Sequence, residues 1–238
     1  MPETQPGAAE AAEADRIRAI YRRYDTSEHW LRKRDPDNPG FSRLQEERWH
    51  KIAVLLDARL RGTARPRILD VGCGTGGDLA RIGKLLPGAE LFGVDLIETR
   101  VQAARRAVPG AALSVQGGEA LPFSDRSMQL VLLSTVLSSI LDPGTRRRVA
   151  AEAYRVTADD GILLVYDIRL PSPANPHVRR IGQRELRALL PAARIQSHPI
   201  TLLPPLARGV CRIRPGLYRP LARLRPLRSH YLSVVTRP

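Results

Sequence analysis

The chain is short of the residues that would mark it as secreted, membrane-spanning or metal-binding. Only two cysteines, Cys73 and Cys211, occur in 238 residues, too few for a disulfide framework. No run of eighteen apolar residues is present, so no transmembrane helix is expected. Residues Met1 to Asp15 are acidic and rich in Ala and Glu, without the basic start and apolar stretch of a signal peptide. A cytoplasmic protein is the expectation. Five histidines, His29, His50, His177, His198 and His230, have no partners at a ligand-like spacing, and no metal is expected. Aromatics are scarce, at 5% of the chain, and beyond residue 169 only Tyr218 and Tyr231 occur. Acids are scarcer still in that segment. It holds 14 Arg against the single acid Glu185, whereas the preceding 168 residues carry 24 basic and 23 acidic side chains. Nearly all of the net charge of +14 therefore sits in the last third, where it attracts anions or forms a solvated basic face.

What is present is concentrated near residue 70. Arg67-Ile68-Leu69-Asp70-Val71 reads as a short apolar strand, and Gly72-Cys73-Gly74-Thr75-Gly76 as a tight turn into a helix. Glycines there let the backbone approach a ligand closely, because no Cβ intervenes. A carboxylate at the strand end, Asp70, disfavours phosphate and suits a cofactor with positive charge. A nicotinamide dinucleotide would instead need a glycine pattern placing a pyrophosphate at a helix N-terminus. A second strand, Glu90 to Leu96, carries Asp95, which lies 19 residues after Gly76. That spacing suits an acid that meets a ribose diol. Alone, Asp70 and Asp95 would read as turn or cap acids; with the glycine turn between them they read as a nucleoside site.

Over roughly Arg65 to Arg169 the chain resembles the class I S-adenosylmethionine (SAM)-dependent methyltransferases, in particular the ubiquinone/menaquinone-type small-molecule branch, through Leu69-Asp70-Val71-Gly72-Cys73-Gly74-Thr75-Gly76. The resemblance implies an α/β fold: a Rossmann-like, doubly wound, seven-stranded sheet, mostly parallel with an antiparallel last strand, under an N-terminal helical cap. It implies SAM as cofactor, with contacts at Asp70, Gly72, Cys73, Gly74, Gly76, Asp95, Leu96, Glu119, Ala120 and Ser134. Backbone amides of the turn and Asp70 would take the methionine end, Asp95 the ribose hydroxyls and Leu96 the adenine face. Relatives place an Asp shortly before Leu-Pro-Phe in the loop after the third strand. This chain has Gln116-Gly117-Gly118-Glu119-Ala120-Leu121-Pro122-Phe123, so Glu119 or backbone amides would replace it.

The expected organisation is a flexible tail over 1–14, a helical cap over 15–62, a cofactor-binding core over 65–169, and a basic part over 170–238. Cap helices are expected near 15–24 and 42–60, either side of a loop over 33–40. Strands are expected at 67–71, 90–95, 112–115, 129–134 and 161–167, alternating with helices at 76–86, 98–107 and 145–156. A short helix near 183–190 and two last strands, 194–203 and 230–236, follow. Residues 204–229 alternate Leu, Pro and Arg with no clean period.

Methyl transfer from a sulfonium asks mainly for two reactants held in line, and for a base only when the acceptor is a weak acid. His29, beside Trp30, is the candidate base; Tyr21 and Tyr24 are candidates to cover the cofactor. After the fourth strand the chain reads Leu133-Ser134-Thr135-Val136-Leu137-Ser138-Ser139-Ile140. It lacks the Asn/Asp-Pro-Pro-Tyr/Phe of adenine and glutamine amino-methyltransferases, and no Pro-Cys nucleophile is present. A small-molecule acceptor in secondary-metabolite, glycan or isoprenoid biosynthesis is the first reading. An RNA methyltransferase and a non-catalytic SAM-binding subunit are the alternatives. Three roles are open for the basic end: a lid in which Arg179, Arg180 and Arg184 face an anionic substrate, an RNA surface, or a peripheral contact with anionic membrane.

Overall fold

The computed structural model describes residues 7–33, 35–171 and 175–238. The parts of the expected tail at 1–6 and of the expected loop at Arg34 lie outside the described residues.

Seven strands form one sheet: β1 (Arg67–Val71), β2 (Glu90–Asp95), β3 (Ala112–Val115), β4 (Met128–Ser134), β5 (Thr157–Ile168), β6 (Arg194–Leu202) and β7 (Arg228–Thr236). Their order is β3-β2-β1-β4-β5-β7-β6. β1 to β5 pair in parallel, and β7 enters antiparallel between β5 and β6. The doubly wound, mostly parallel sheet with one antiparallel last strand is thus as expected. β5 begins earlier than 161, because a register shift opposite Met128 and Leu130 lets residues 157–160 continue the strand.

Both faces of the sheet's centre are covered, so β4 and the second half of β5 are nearly continuous apolar runs. Alternation along the strands assigns the faces. Leu69, Val71, Val131, Leu133, Leu163 and Val165 share a core with α1 (Ala8–Thr26), α6 (Pro143–Val156) and α7 (Gln183–Leu189). Ile68, Leu130, Leu132, Ile162 and Leu164 face α3 (Pro39–Leu60) and α4 (Gly77–Leu85). A smaller cluster of Cys73, Leu79 and Val108 joins α4 to the end of α5 (Glu98–Ala107). α2 (Glu28–Lys33) links α1 to α3, which starts with Asn38 accepting from the Gly40 and Phe41 amides.

Two N-terminal expectations are corrected. Helix α1 begins at Ala8 rather than near Asp15, because its first turns are held by side chains that contact the sheet end. The expected cap is also divided, since α1 packs on one face of the sheet and α3 on the other. A further correction concerns residues 204–229. They form α8 (Pro204–Ile213), α9 (Tyr218–Arg223) and two short 3-10 turns. Prolines there open helical turns rather than break them. Pro204, Pro205, Pro215 and Pro226 fall in first turns, where a missing N–H costs nothing.

Candidate active site

The glycine turn is tied to the end of β2. Gly72 and Cys73 both donate their amides to the Val94 carbonyl, at 2.8 and 3.0 Å, and the Gly76 amide donates to the Cys73 carbonyl at 2.9 Å. The Gly74 amide donates to Asp95 Oδ2 at 2.8 Å, while Asp95 Oδ1 accepts from the Ile97 amide at 2.9 Å. The amides of Gly72, Cys73, Gly74 and Gly76 are therefore engaged within the turn and with β2. Such a turn presents carbonyls, the polarity an ammonium needs. Gly72 has φ +76°, and a Cβ there would stand 2.7 Å from Val136 Cγ2. The bare backbone is thus demanded by both conformation and space.

Asp95 is 8% exposed and held in one orientation by its two amides. Burial raises its carboxyl above the ordinary range, against the lowering effect of those amides and Arg100. Each oxygen keeps a lone pair for another donor.

A cleft of about 730 Å³ opens at the C-terminal ends of β1, β2 and β4, the position ligands take in open α/β sheets. Gly72, Asp95, Leu96, Glu119 and Ser134 line it, as the sequence suggests. Cys73, Gly74, Gly76 and Ala120 do not; the first three support the turn, and Ala120 faces solvent. Burial raises the Cys73 thiol, which suits a packing role.

Asp70 also stays off the cleft, for a reason of period. Val71 points to the α1 side, where the cleft lies, so Asp70 points to the α3 side. There its Oδ1 is buried without a hydrogen-bond partner. Burial, and then the charge of Asp78, push its carboxyl well up, while Arg48 opposes them. Arg48, from α3, is the cation on this side. It donates to Ser134 Oγ at 2.7 Å and to Asp78, and its guanidinium lies over the rings of Tyr166 and Trp49. Nothing local in the sequence signals this residue.

Helix α1 forms the cleft's outer wall. Tyr21 lines it, with its hydroxyl 2.9 Å from Ser139 Oγ and the Arg100 guanidinium over its ring at 4.4 Å. Arg100 pairs in turn with Asp25, at 2.5 Å. Tyr24 turns away from the cleft and donates to Asn175 Oδ1. Buried Glu13 accepts from the Leu141 amide and from Arg16, which also donates to the Ser139 carbonyl. Burial would raise the Glu13 carboxyl, but these bonds outweigh it and hold it below the ordinary range.

Beneath that wall, β4 ends in a strained residue. Thr135 lines the cleft at φ +59°, a conformation costly for a β-branched side chain. Its amide bonds the Tyr166 carbonyl at 2.7 Å, and its carbonyl accepts from Ser139 Oγ at 2.8 Å. Asp167 supports the next turn, accepting from the Ser138 and Ile168 amides; burial raises its carboxyl to about 6.

Two expectations fail here. His29 is exposed, its ring edge-on to Trp30, and no histidine lines the cleft. A position before the first strand does not suffice, because α2 carries His29 away from the α1 wall. Arg179, Arg180 and Arg184 do not line the cleft either, and Arg179 pairs with Glu185. Among the described residues the cleft's cation is Arg100, already paired, and its other charged side chains are Glu10, Glu13, Asp95 and Glu119. No described residue of the basic segment lines this cleft.

A parallel sheet of this order, with a glycine turn tied to an acid on the next strand, forms a Rossmann-like α/β fold. Residues 68–161 of the chain match the family described as Methyltransferase domain. The chain is 40% identical over 127 residues to a demethylmenaquinone methyltransferase of Chlorobaculum tepidum, covering 53% of this chain and 51% of that protein. With a malonyl-[acyl-carrier protein] O-methyltransferase of Geobacter sulfurreducens it shares 33% over 129 residues, covering 53% and 46%. The chain spans about half the length of the curated relatives it matches. In fold it is similar to a geranyl diphosphate methyltransferase solved with its substrate and sinefungin, at a TM-score of 0.65, 17% identity, and coverage of 94% and 98%.

Proposed function

We propose that this chain transfers a methyl group from SAM to a small, largely apolar acceptor. The observation that carries the reading is Asp95, fixed by the Gly74 and Ile97 amides at the rim of a cleft floored by bare backbone. The site fits the cofactor. Asp95 would accept both ribose hydroxyls, Leu96 and Ile97 would lie along the adenine, and Gly117 to Glu119 would meet its edge. The carbonyl side of the glycine turn would take the ammonium. When bound, the cofactor supplies a sulfonium methyl already activated for in-line displacement. The chain's own contribution is then to position and to exclude water. Tyr21 and the α1 wall close the cleft from outside, and Thr135 and Val136 hold its floor.

The acceptor class follows from the remaining lining. Ala14, Ile17, Val136, Ile140 and Val149 are apolar. Glu10 and Glu13 are neutralised by Arg148 and Arg16. An apolar ring or isoprenoid with a polar edge suits that wall, and a phosphate or carboxylate does not. With no imidazole in the cleft, the acceptor is one that needs little basic help, such as an electron-rich carbon or a phenol. The demethylmenaquinone methyltransferase relatives support this class. Calorimetry tests the cofactor site: Asp95→Ala is expected to weaken SAM binding by about 1–3 kcal/mol. Unchanged affinity would remove Asp95, and the reading with it.

A further inference from the structure

The basic end of the chain builds a surface separate from the cleft. Helices α8 and α9 pack inward through Ala207, Cys211, Tyr218 and Ala222 against Leu44 of α3 and Leu202 of β6. Glu47 of α3 locks them there, accepting from the Tyr218 hydroxyl at 2.6 Å and from Arg228. With the inner face so used, the outer one is left to solvent. Ile213 is 80% exposed, Leu217 46% and Leu224 52%. Among the described residues these are three of seven exposed large hydrophobics, and they fall within twelve residues of sequence.

Arginines flank them in the chain. Arg212, Arg214, Arg219, Arg223 and Arg225 are all exposed, and none pairs with an acid among the described residues. Beyond Glu185, the ion pairs among the described residues belong to Arg228 and Arg237. No Asp or Glu occurs after Glu185. Isolated exposed leucines need no explanation, but exposed apolar side chains interleaved in the chain with unpaired arginines form the pattern of an interfacial surface. Apolar tips enter the acyl boundary while the arginines meet anionic headgroups. Short helices opened by prolines suit this better than one long helix would, because the fold, not the lipid, supplies their stability.

We propose that the face of α8, α9 and the turns beside them docks on anionic phospholipid bilayers. RNA is disfavoured, since Tyr218 is buried under the helices and the face offers no aromatic platform for bases. The contact needs no cofactor and is independent of the chemistry in the cleft.

Sedimentation of the full chain with extruded vesicles tests the inference. Phosphatidylcholine vesicles containing about one third phosphatidylglycerol are expected to pellet the protein about tenfold better than phosphatidylcholine alone, and less well as salt rises. The combined variant Ile213→Ser, Leu217→Ser, Leu224→Ser is expected to lose this binding, as is Arg212→Gln, Arg219→Gln, Arg223→Gln. All six positions are exposed, and unchanged thermal unfolding and SAM affinity would show both variants intact. Equal pelleting by neutral and anionic vesicles overturns the proposal. So does a serine variant that pellets like the parent, or labelled tRNA that strips the parent from vesicles while binding the serine variant equally well.

Discussion

At the scale of single residues, the environment of Arg48 reaches further than the cleft. Tyr166, under its guanidinium, stacks on His230 with rings 4.7 Å apart and 3° from parallel. Burial, and then the charge of Arg48, hold the His230 imidazole down at about 3, against an ordinary 6.5. Below pH 6.5 the unfolded chain takes up a proton that the folded chain refuses. Stability from this source is complete above that pH and declines as pH falls, by about 1.4 kcal/mol per pH unit. Urea midpoints measured between about pH 7 and pH 4.5 should therefore fall less steeply for His230→Gln than for the parent. Parallel curves would show a normally titrating imidazole. Gly72 and Asp95 were legible in the sequence because their requirements are local: a positive φ, and an acid at a strand end. Arg48, Tyr21 and Thr135 were not. Arg48 lies 22 positions before Asp70 in the chain, and only the packing of α3 on the sheet brings the two together. The face that Asp70 takes was not legible either, since strand alternation sends it and Val71 to opposite sides.

Among the elements, α1 decides the shape of the site. Its attachment depends on Glu13, which satisfies the Leu141 amide and neutralises Arg16. Glu13→Ala would leave the Leu141 N–H without its acceptor and Arg16 without its carboxylate. The expected loss is about 1–3 kcal/mol, or roughly 2–10 °C in melting temperature for a chain of this size, read by calorimetry. SAM affinity should fall as well, because Tyr21 rides on the same helix. A variant with parental melting temperature would show that α1 is held by its apolar face alone. The start of α1 was hidden in the sequence by its polar composition, Ala and Glu without an apolar stripe. The strands and helices of the core were visible because each pairs a clean period with a Gly or Pro boundary. Residues 204–229 gave neither, and their short helices are defined by what α3 offers them.

For the whole molecule, the cofactor and the fold are linked by mass action. A ligand at about a hundred times its dissociation constant adds about 2.7 kcal/mol to stability, which corresponds to a rise of roughly 5–10 °C. Saturation with SAM or S-adenosylhomocysteine is expected to shift unfolding by that amount, followed by differential scanning fluorimetry. Nicotinamide dinucleotides should give no shift, because the Gly72, Cys73, Gly74 and Gly76 amides are already bonded and cannot receive a pyrophosphate. Absence of any shift with SAM would leave the cleft without its proposed occupant.

The position of β7 bears on how the polypeptide assembles. It follows β6 in the chain yet lies inside it, between β5 and β6. During synthesis, residues 194–202 consequently emerge with no neighbour to hydrogen-bond, and they wait until 228–236 have docked on β5. The arginine-bearing helices between them hang on a hairpin whose inner leg arrives last, so ending the chain between Leu202 and Arg228 should leave Arg194–Leu202 with no strand to pair with and loosen that part of the protein from the remaining sheet.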